Sequence, residues 1–339
     1  MNITRQMQEH LDHLTKPVGS LGRLEEFALR MAEIQGNVPP QITRKSVFVF
    51  AGDHGVNEAG VSMYPQEVTY QMLRNFTQEG AGINVLARHC GFDVRLIDAG
   101  IAREVDFPGV ISRKAGWGTK NFHREPAMNS SELSACLETG RELAEAAAAE
   151  GCSIAAVGDM GISNTAAASA MVIAAGLDGA DIIDRGTGIT EEILERKRTV
   201  ILDSVKRHGP FSGPEDILMK VGGFEEAAMA GFILGLKGKG VACVIDGFPV
   251  TAGAYMAWLM DREVSSYLFA GHLSKVKGHR VILDAMGMEP IIDLGMRLGE
   301  GTGAVIGGFM IDLGVRISRE MASFADAQVS TSSGEEENY

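Results

Sequence analysis

Along the first forty residues apolar side chains recur at intervals of three and four: Ile3, Met7, Leu11 and Leu14, then Leu21, Leu24, Phe27, Met31 and Ile34. That spacing puts each set on one face of a helix. It predicts helices over 3–14 and 21–34, joined by Lys16-Pro17-Val18-Gly19-Ser20. Ser20 is placed to cap the second helix, and Gly36 and Pro39-Pro40 end it. Two amphipathic helices ahead of any strand cannot bury themselves, so they are expected to pack on C-terminal helices.

From residue 46 the rhythm changes to short apolar runs that end in small or acidic residues. Val47–Phe50 precedes Ala51-Gly52-Asp53-His54-Gly55, Val94–Ile97 precedes Asp98-Ala99-Gly100, and Ile154–Val157 precedes Gly158-Asp159-Met160-Gly161. Val241–Ile245 before Asp246-Gly247 and Tyr267–Phe269 before Ala270-Gly271-His272 repeat the pattern. Helical periodicity separates them, over 65–78, 130–149 and 224–236. Strand, glycine turn and helix in alternation predict an α/β fold with a parallel sheet and crossover helices. Ligands of such sheets sit beyond the carboxyl ends of the strands, where the Gly/Asp clusters fall.

Composition narrows the class. With 339 residues, 45% hydrophobic, 6% aromatic and 42 glycines, the chain has enough apolar surface for one large domain or two unequal ones. A balance of 31 basic to 44 acidic residues, with no basic run, argues against nucleic acid. The scattered Cys90, Cys136, Cys152 and Cys243 form no C-x-x-C pair and read as reduced thiols of a cytoplasmic protein. The N-terminus carries no apolar signal core, and Ala166–Leu177 is too short to span a membrane. The polar, acidic stretch 328–339 is expected to be disordered.

Three stretches carry candidate chemistry. In Gly295–Ala304 the carboxylate of Glu300 lies among Gly299, Gly301 and Gly303, where backbone can approach a ligand closely. A helix starting near Thr302 would aim N–H groups at the same spot, and Glu300 is either a general base there or a capping carboxylate on a turn. Gly158–Thr165 follows a strand and opens a helix, and is either a cradle for one phosphate, with Ser163, Asn164 and Thr165 as neutral donors, or a tight turn with an Asn/Thr cap. It lacks the Gly-Lys-Ser/Thr of a P-loop, and no G-x-G-x-x-G follows a strand, which disfavours a dinucleotide oxidoreductase. The third stretch, Ile182–Thr190, compares with the diphosphate-sugar loop of ordinary phosphoribosyltransferases, but Asp184 stands alone where that loop has two adjacent acids. A metal-bound diphosphate donor is therefore disfavoured. Of Arg196-Lys197-Arg198 part can reach a phosphate and most forms a solvated face. Asp53, His54, His272 and His279 show no metal-ligand spacing, so no metal and no cofactor are expected.

With these residues together, the chain resembles the nicotinate-nucleotide:dimethylbenzimidazole phosphoribosyltransferase family from about Leu14 to Ile317. The likeness runs through Lys16-Pro17 to Glu25, Ala51–Val56, Tyr64–Thr69, Gly158–Thr165, Gly278-His279 and Asp293–Gly303. The resemblance implies a Rossmann-like parallel sheet with flanking helices plus a small helical domain built from both chain ends. We divide the chain accordingly into 1–40, 41–285 and 286–327, the last carrying the catalytic loop.

The resemblance also implies a homodimer, with nicotinate mononucleotide and an aromatic base as substrates. It places the catalytic base on Glu300 and the nucleotide phosphate on Gly161, Ile162, Ser163, Asn164 and Thr165. The base pocket then falls on the segment from Tyr64 to Met72, where family members can carry serine and glutamine at those two positions. Asp159, often Glu in the family, is counted among the substrate contacts. So are Gly186, Thr187, Gly188, Lys197, Leu298 and Gly301. Adenine or phenolic acceptors, or non-catalytic azole or nucleotide binding, are the competing readings.

Overall fold

The computed structural model describes residues 2–177, 182–184, 188 and 190–330. Contacts between Cα atoms divide it into two units, Met1–Thr43 with Phe309–Tyr339, and Arg44–Gly308. The stretch 286–308, which the sequence grouped with the C-terminal segment, thus falls in the larger unit. Of the tail expected to be disordered, residues 331–339 lie outside the described residues, while Gln328 and Val329 still hydrogen-bond back to Ala325 and Phe324.

Among the described residues the larger unit is built on seven parallel strands: β1 (Arg44–Gly52), β2 (Asp93–Gly100), β3 (Val110–Ser112), β4 (Cys152–Met160), β5 (Ala242–Ile245), β6 (Leu268–His272) and β7 (Pro290–Ile292). Their spatial order is β3-β2-β1-β4-β5-β6-β7. Successive pairings leave no antiparallel step, for example Val49 beside Leu96 and Gly158, and Val157 beside Ile245. Strands covered on both faces read as unbroken apolar runs, as β1 does. The order reverses between β1 and β4, the switch point at which such sheets open a crevice.

Thirteen α-helices are seen among the described residues. The first six are α1 (Ile3–Asp12), α2 (Arg23–Gln35), α3 (Glu67–Thr77), α4 (Gly82–Cys90), α5 (Ser130–Ala149) and α6 (Asn164–Ala174). They are followed by α7 (Glu191–His208), α8 (Pro214–Val221), α9 (Phe224–Gly235), α10 (Phe248–Met260), α11 (Lys277–Met286), α12 (Thr302–Glu320) and α13 (Phe324–Ala327). Phe232 of α9 packs its ring 4.6 Å from Phe48 and 5.8 Å from Phe50 of β1. Helices α5 and α9 meet backbone to backbone: a Cβ at Gly140 would lie 2.1 Å from the Ala228 carbonyl oxygen. The start of α12 presses on the sheet in the same way, with Gly307 against the backbone of Gly271.

In the smaller unit Met7, Leu11, Leu14, Ala28 and Ala32 form the core, with Met321 from the C-terminal part packed against it. Gly314 of α12 touches the Leu24 carbonyl, so the orphan N-terminal helices do find C-terminal helical partners. Ser20 does not cap α2. The N-cap is Gly22 at φ 53°, and the Glu25 carboxylate instead takes the Leu21 amide at 2.9 Å and the buried Lys16 ammonium at 2.9 Å.

Candidate active site

A cavity of about 390 Å³ opens at the carboxyl ends of β4 and β5. The helices α6 and α10 begin at its wall, because each follows a strand end or glycine turn, and α12 begins two residues beyond Glu300, which lines it. Part of the wall is apolar: Tyr64, Val68 and Met72 around α3, Phe248 and Val250 opening α10, and Leu298.

Glu300 borders this cavity with 6% of its surface exposed. Its φ of 65° lies in the left-handed region, as do Gly299 at 81° and Gly301 at 91°. A non-glycine residue held there costs about 1–2 kcal/mol, so the surroundings must over-determine the turn. Two contacts do so. Gly158 of β4 lets the Glu300 carbonyl approach, since a Cβ there would stand 2.5 Å from that oxygen. The Ile83 amide at the start of α4 donates to Glu300 Oε2 at 3.2 Å. Glu300 therefore does cap a helix, but in a buried position. Burial, more than the neighbouring Asp246 charge, raises its pKa above the ordinary value, against the pull of the Ile83 amide.

The amides expected to face a ligand at the start of α12 do not. The Asp246 carboxylate takes those of Gly301 at 2.9 Å, Gly303 at 2.7 Å and Ala304 at 3.2 Å. Asp246 is fully buried, which works most strongly against its charge. His272 Nε2 at 3.3 Å and the loop amides outweigh that cost and hold it below the usual carboxylate range. Behind it, His279 Nε2 lies 2.9 Å from Thr251 Oγ1, and the Ser274 amide donates to its Nδ1 at 2.9 Å. Burial pushes the His279 pKa down to about 3.

At the α6 end, Gly161, Ile162, Ser163, Asn164 and Thr165 all line the cavity, together with Asp159. The turn is tied down by its own side chains: Ser163 Oγ donates to Asn57 Oδ1 at 2.9 Å, and Asn164 Nδ2 donates to Asp159. The amide of Ile162 donates to Thr69 Oγ1 at 3.1 Å, and that of Thr165 to Asn164 Oδ1 at 2.7 Å. The cation here is Lys197, 3% exposed, whose Nζ donates to Thr165 Oγ1 at 2.9 Å. Burial, only partly opposed by Asp184, lowers its pKa to about 8. Helical spacing explains why this lysine alone turns inward: Leu194, Lys197, Ile201 and Ser204 share the buried face of α7, while Arg196 and Arg198 pair with Glu192 and Glu195 outside.

Of the remaining candidates, Tyr64, Met72 and Leu298 lie on the cavity wall. The Gly301 amide is committed to Asp246, and Gly188 is an exposed turn residue. Gly186 and Thr187 lie outside the described residues. Two features escaped sequence reasoning. Asp246 was visible as an acid at a strand end but had no assigned partner. The buried pair of His54 Nε2 and Glu225 Oε1, 2.7 Å apart, joins the end of β1 to the start of α9; its only signal was Glu225-Glu226 in an otherwise apolar helix. Burial favours the neutral His54 ring, but the charge and hydrogen bond of Glu225, with Asp159 and Asp53, raise its pKa.

A family model described as phosphoribosyltransferase matches residues 1–329. The nicotinate-nucleotide–dimethylbenzimidazole phosphoribosyltransferase of Geobacter sulfurreducens is 50% identical over 330 residues, covering 96% of this chain and 94% of its own. The protein of that name from Thermus thermophilus is 46% identical, covering 97% and 98%. The crystal structure of CobT from Thermus thermophilus matches with a TM-score of 0.92 at 46% identity, over 97% of this chain and 99% of that one. The fold is thus shared along nearly the whole length. The chain belongs to the nicotinate-nucleotide:dimethylbenzimidazole phosphoribosyltransferase family.

Proposed function

We propose that this chain transfers the phosphoribosyl group of nicotinate mononucleotide to 5,6-dimethylbenzimidazole or a related base. The products are nicotinate and α-ribazole 5′-phosphate, used in cobalamin nucleotide-loop assembly. The observation that carries this reading is a buried Glu300 with a raised pKa on the same cavity as the Lys197–Thr165 anion turn.

The chemistry follows from the ring systems. The glycosidic nitrogen of nicotinate mononucleotide is a pyridinium, so breaking its bond to C1′ neutralises the ring and needs no added proton. The incoming benzimidazole forms the new C1′–N bond through one nitrogen and must lose the proton on the other. Glu300 takes that proton; its raised pKa makes it a stronger base than an exposed carboxylate. Lys197 and the turn Gly161–Thr165 hold the phosphate and so set the position of C1′. Tyr64, Val68 and Met72 offer a flat apolar ring its contact surface. Attack opposite to nicotinate turns the β-linkage into the α-riboside.

The family resemblance further supports a homodimer. A cytoplasmic location is supported by the free thiols of all four cysteines. No helix among the described residues is long and apolar enough to cross a membrane. The test is incubation with nicotinate mononucleotide and a panel of benzimidazoles, purines and phenols, reading nicotinate and α-ribotide. Preferred turnover of benzimidazoles supports the assignment; turnover confined to purines or phenols moves the acceptor, and saturable binding without nicotinate overturns the enzyme reading.

A further inference from the structure

Two helix starts compare as anion sites, α6 at Asn164 on the cavity lining and α12 at Thr302, two residues beyond the lining residue Glu300. Their N-termini are not equivalent. That of α12 is filled from within the chain, because both Asp246 oxygens are spent on it: Oδ2 on the Gly301 amide, Oδ1 on those of Gly303 and Ala304. The same three amides border the left-handed Gly299–Gly301 turn that carries Glu300. The turn supports itself only in part: Thr302 reaches back to the Gly299 carbonyl through its amide at 3.1 Å and its hydroxyl at 2.8 Å, and Asp246, Gly158 and Ile83 hold it from outside the loop.

We infer that Asp246 is the positioning residue for Glu300, its buried carboxylate gathering the Gly301, Gly303 and Ala304 amides to fix the turn and to deny the start of α12 to substrate phosphate. The inference rests on Glu300 acting as the base. Two consequences follow. The phosphate is directed to α6, where Lys197 supplies the only buried ammonium on the cavity wall among the described residues. Glu300 also keeps its basicity, since N–H groups that would stabilise its anion are already neutralised and a second negative charge stands nearby. The titratable groups facing Asp246 are His272 from β6, His279 from α11 and Asp159 from β4, with Glu300 itself on the loop.

The test uses the intact chain and D246N, with E300Q as reference. An amide in place of the carboxylate removes the charge and sets an N–H against the Gly301 amide. In D246N kcat is expected to fall about a hundredfold while the dissociation constant for nicotinate mononucleotide stays within about twofold. The Glu300 carboxyl signal, identified by 13C difference spectra against E300Q, is expected to titrate at lower pH in D246N than in the unmodified chain. Loss of donor affinity with an unmoved Glu300 titration overturns the inference and makes Asp246 a substrate contact. Should D246N fail to fold, hydrogen exchange in the unmodified chain decides: slow exchange at Gly301, Gly303 and Ala304, with and without donor, supports the assignment, and rapid exchange refutes it. Absence of nicotinate release by the unmodified chain would instead sink the reading of Glu300 as base, leaving titration and exchange to judge the positioning role.

Discussion

The Ile83 amide donates to Glu300 Oε2 at 3.2 Å, tying the first turn of α4 to a side chain 217 residues further along. A carboxamide at position 300 can still accept that bond but cannot take a proton from an azole. Glu300→Gln is expected to bind nicotinate mononucleotide near-normally and to lose turnover by about 10²–10⁴-fold. Calorimetric binding and nicotinate release measure the two separately.

If Lys197 holds the donor phosphate as proposed, donor binding is expected to depend on pH. Its pKa of about 8 means that the ammonium is lost as pH rises through that value, well before an exposed lysine would deprotonate. Affinity for nicotinate mononucleotide is expected to weaken above about pH 8, whereas the rate limb governed by Glu300 rises on the acid side. Lys197→Met should weaken donor binding about 10–100-fold, the scale of a lost charge-assisted hydrogen bond, and remove the alkaline limb. Binding titrations across the pH range check both.

Gly158 tests how tightly the strand and the Glu300 turn are fitted. A methyl group there meets the Glu300 carbonyl oxygen at 2.5 Å and the Gly301 amide nitrogen at 2.7 Å, both backbone atoms that have no rotamer to change. Gly158→Ala is expected to destabilise the fold by about 1–3 kcal/mol and to reduce kcat more than donor affinity. Denaturant unfolding with parallel kinetics reads the two effects.

His279 gives the fold an acid weakness. In the folded chain it stays neutral down to about pH 3, whereas an unfolded histidine takes its proton near 6.5. Between those values the unfolded chain holds more protons, so stability falls as pH drops through that window. His279→Asn should lower Tm at neutral pH, through loss of the Thr251 contact, yet make Tm decline less steeply with acid. Melting curves from pH 7 to 4 measure the slope.

The parallel sheet was legible because its strands are buried on both faces, which leaves uninterrupted apolar runs such as Val47–Phe50 and Ile154–Val157. The three-residue strands β3 and β7 are too short to leave any alternation and were not anticipated. At the site, the Gly158–Thr165 turn could be read from its place after a strand, whereas Arg196-Lys197-Arg198 read only as part phosphate contact and part solvated face, and the inward direction of Lys197 shows in the packing of α7. The role of Asp246 could not be read, since its partners are amides 55, 57 and 58 residues away and a backbone N–H leaves no mark on sequence. Ser20 misled for a different reason: α2 begins later, at Arg23, its N-cap Gly22 carries no side-chain cap bond, and Glu25 of its first turn reaches back to the Leu21 amide ahead of the cap.

Those two short strands also decide how copies of this molecule can meet. Both outer margins of the sheet are only three residues long, and β7 begins with a proline that lacks an amide hydrogen. A neighbour seeking to zip on by main-chain pairing finds almost no rail to follow. Edge-to-edge growth into a continuous ribbon between molecules is thereby disfavoured, which leaves side-chain surfaces on helices and loops for any contact between copies.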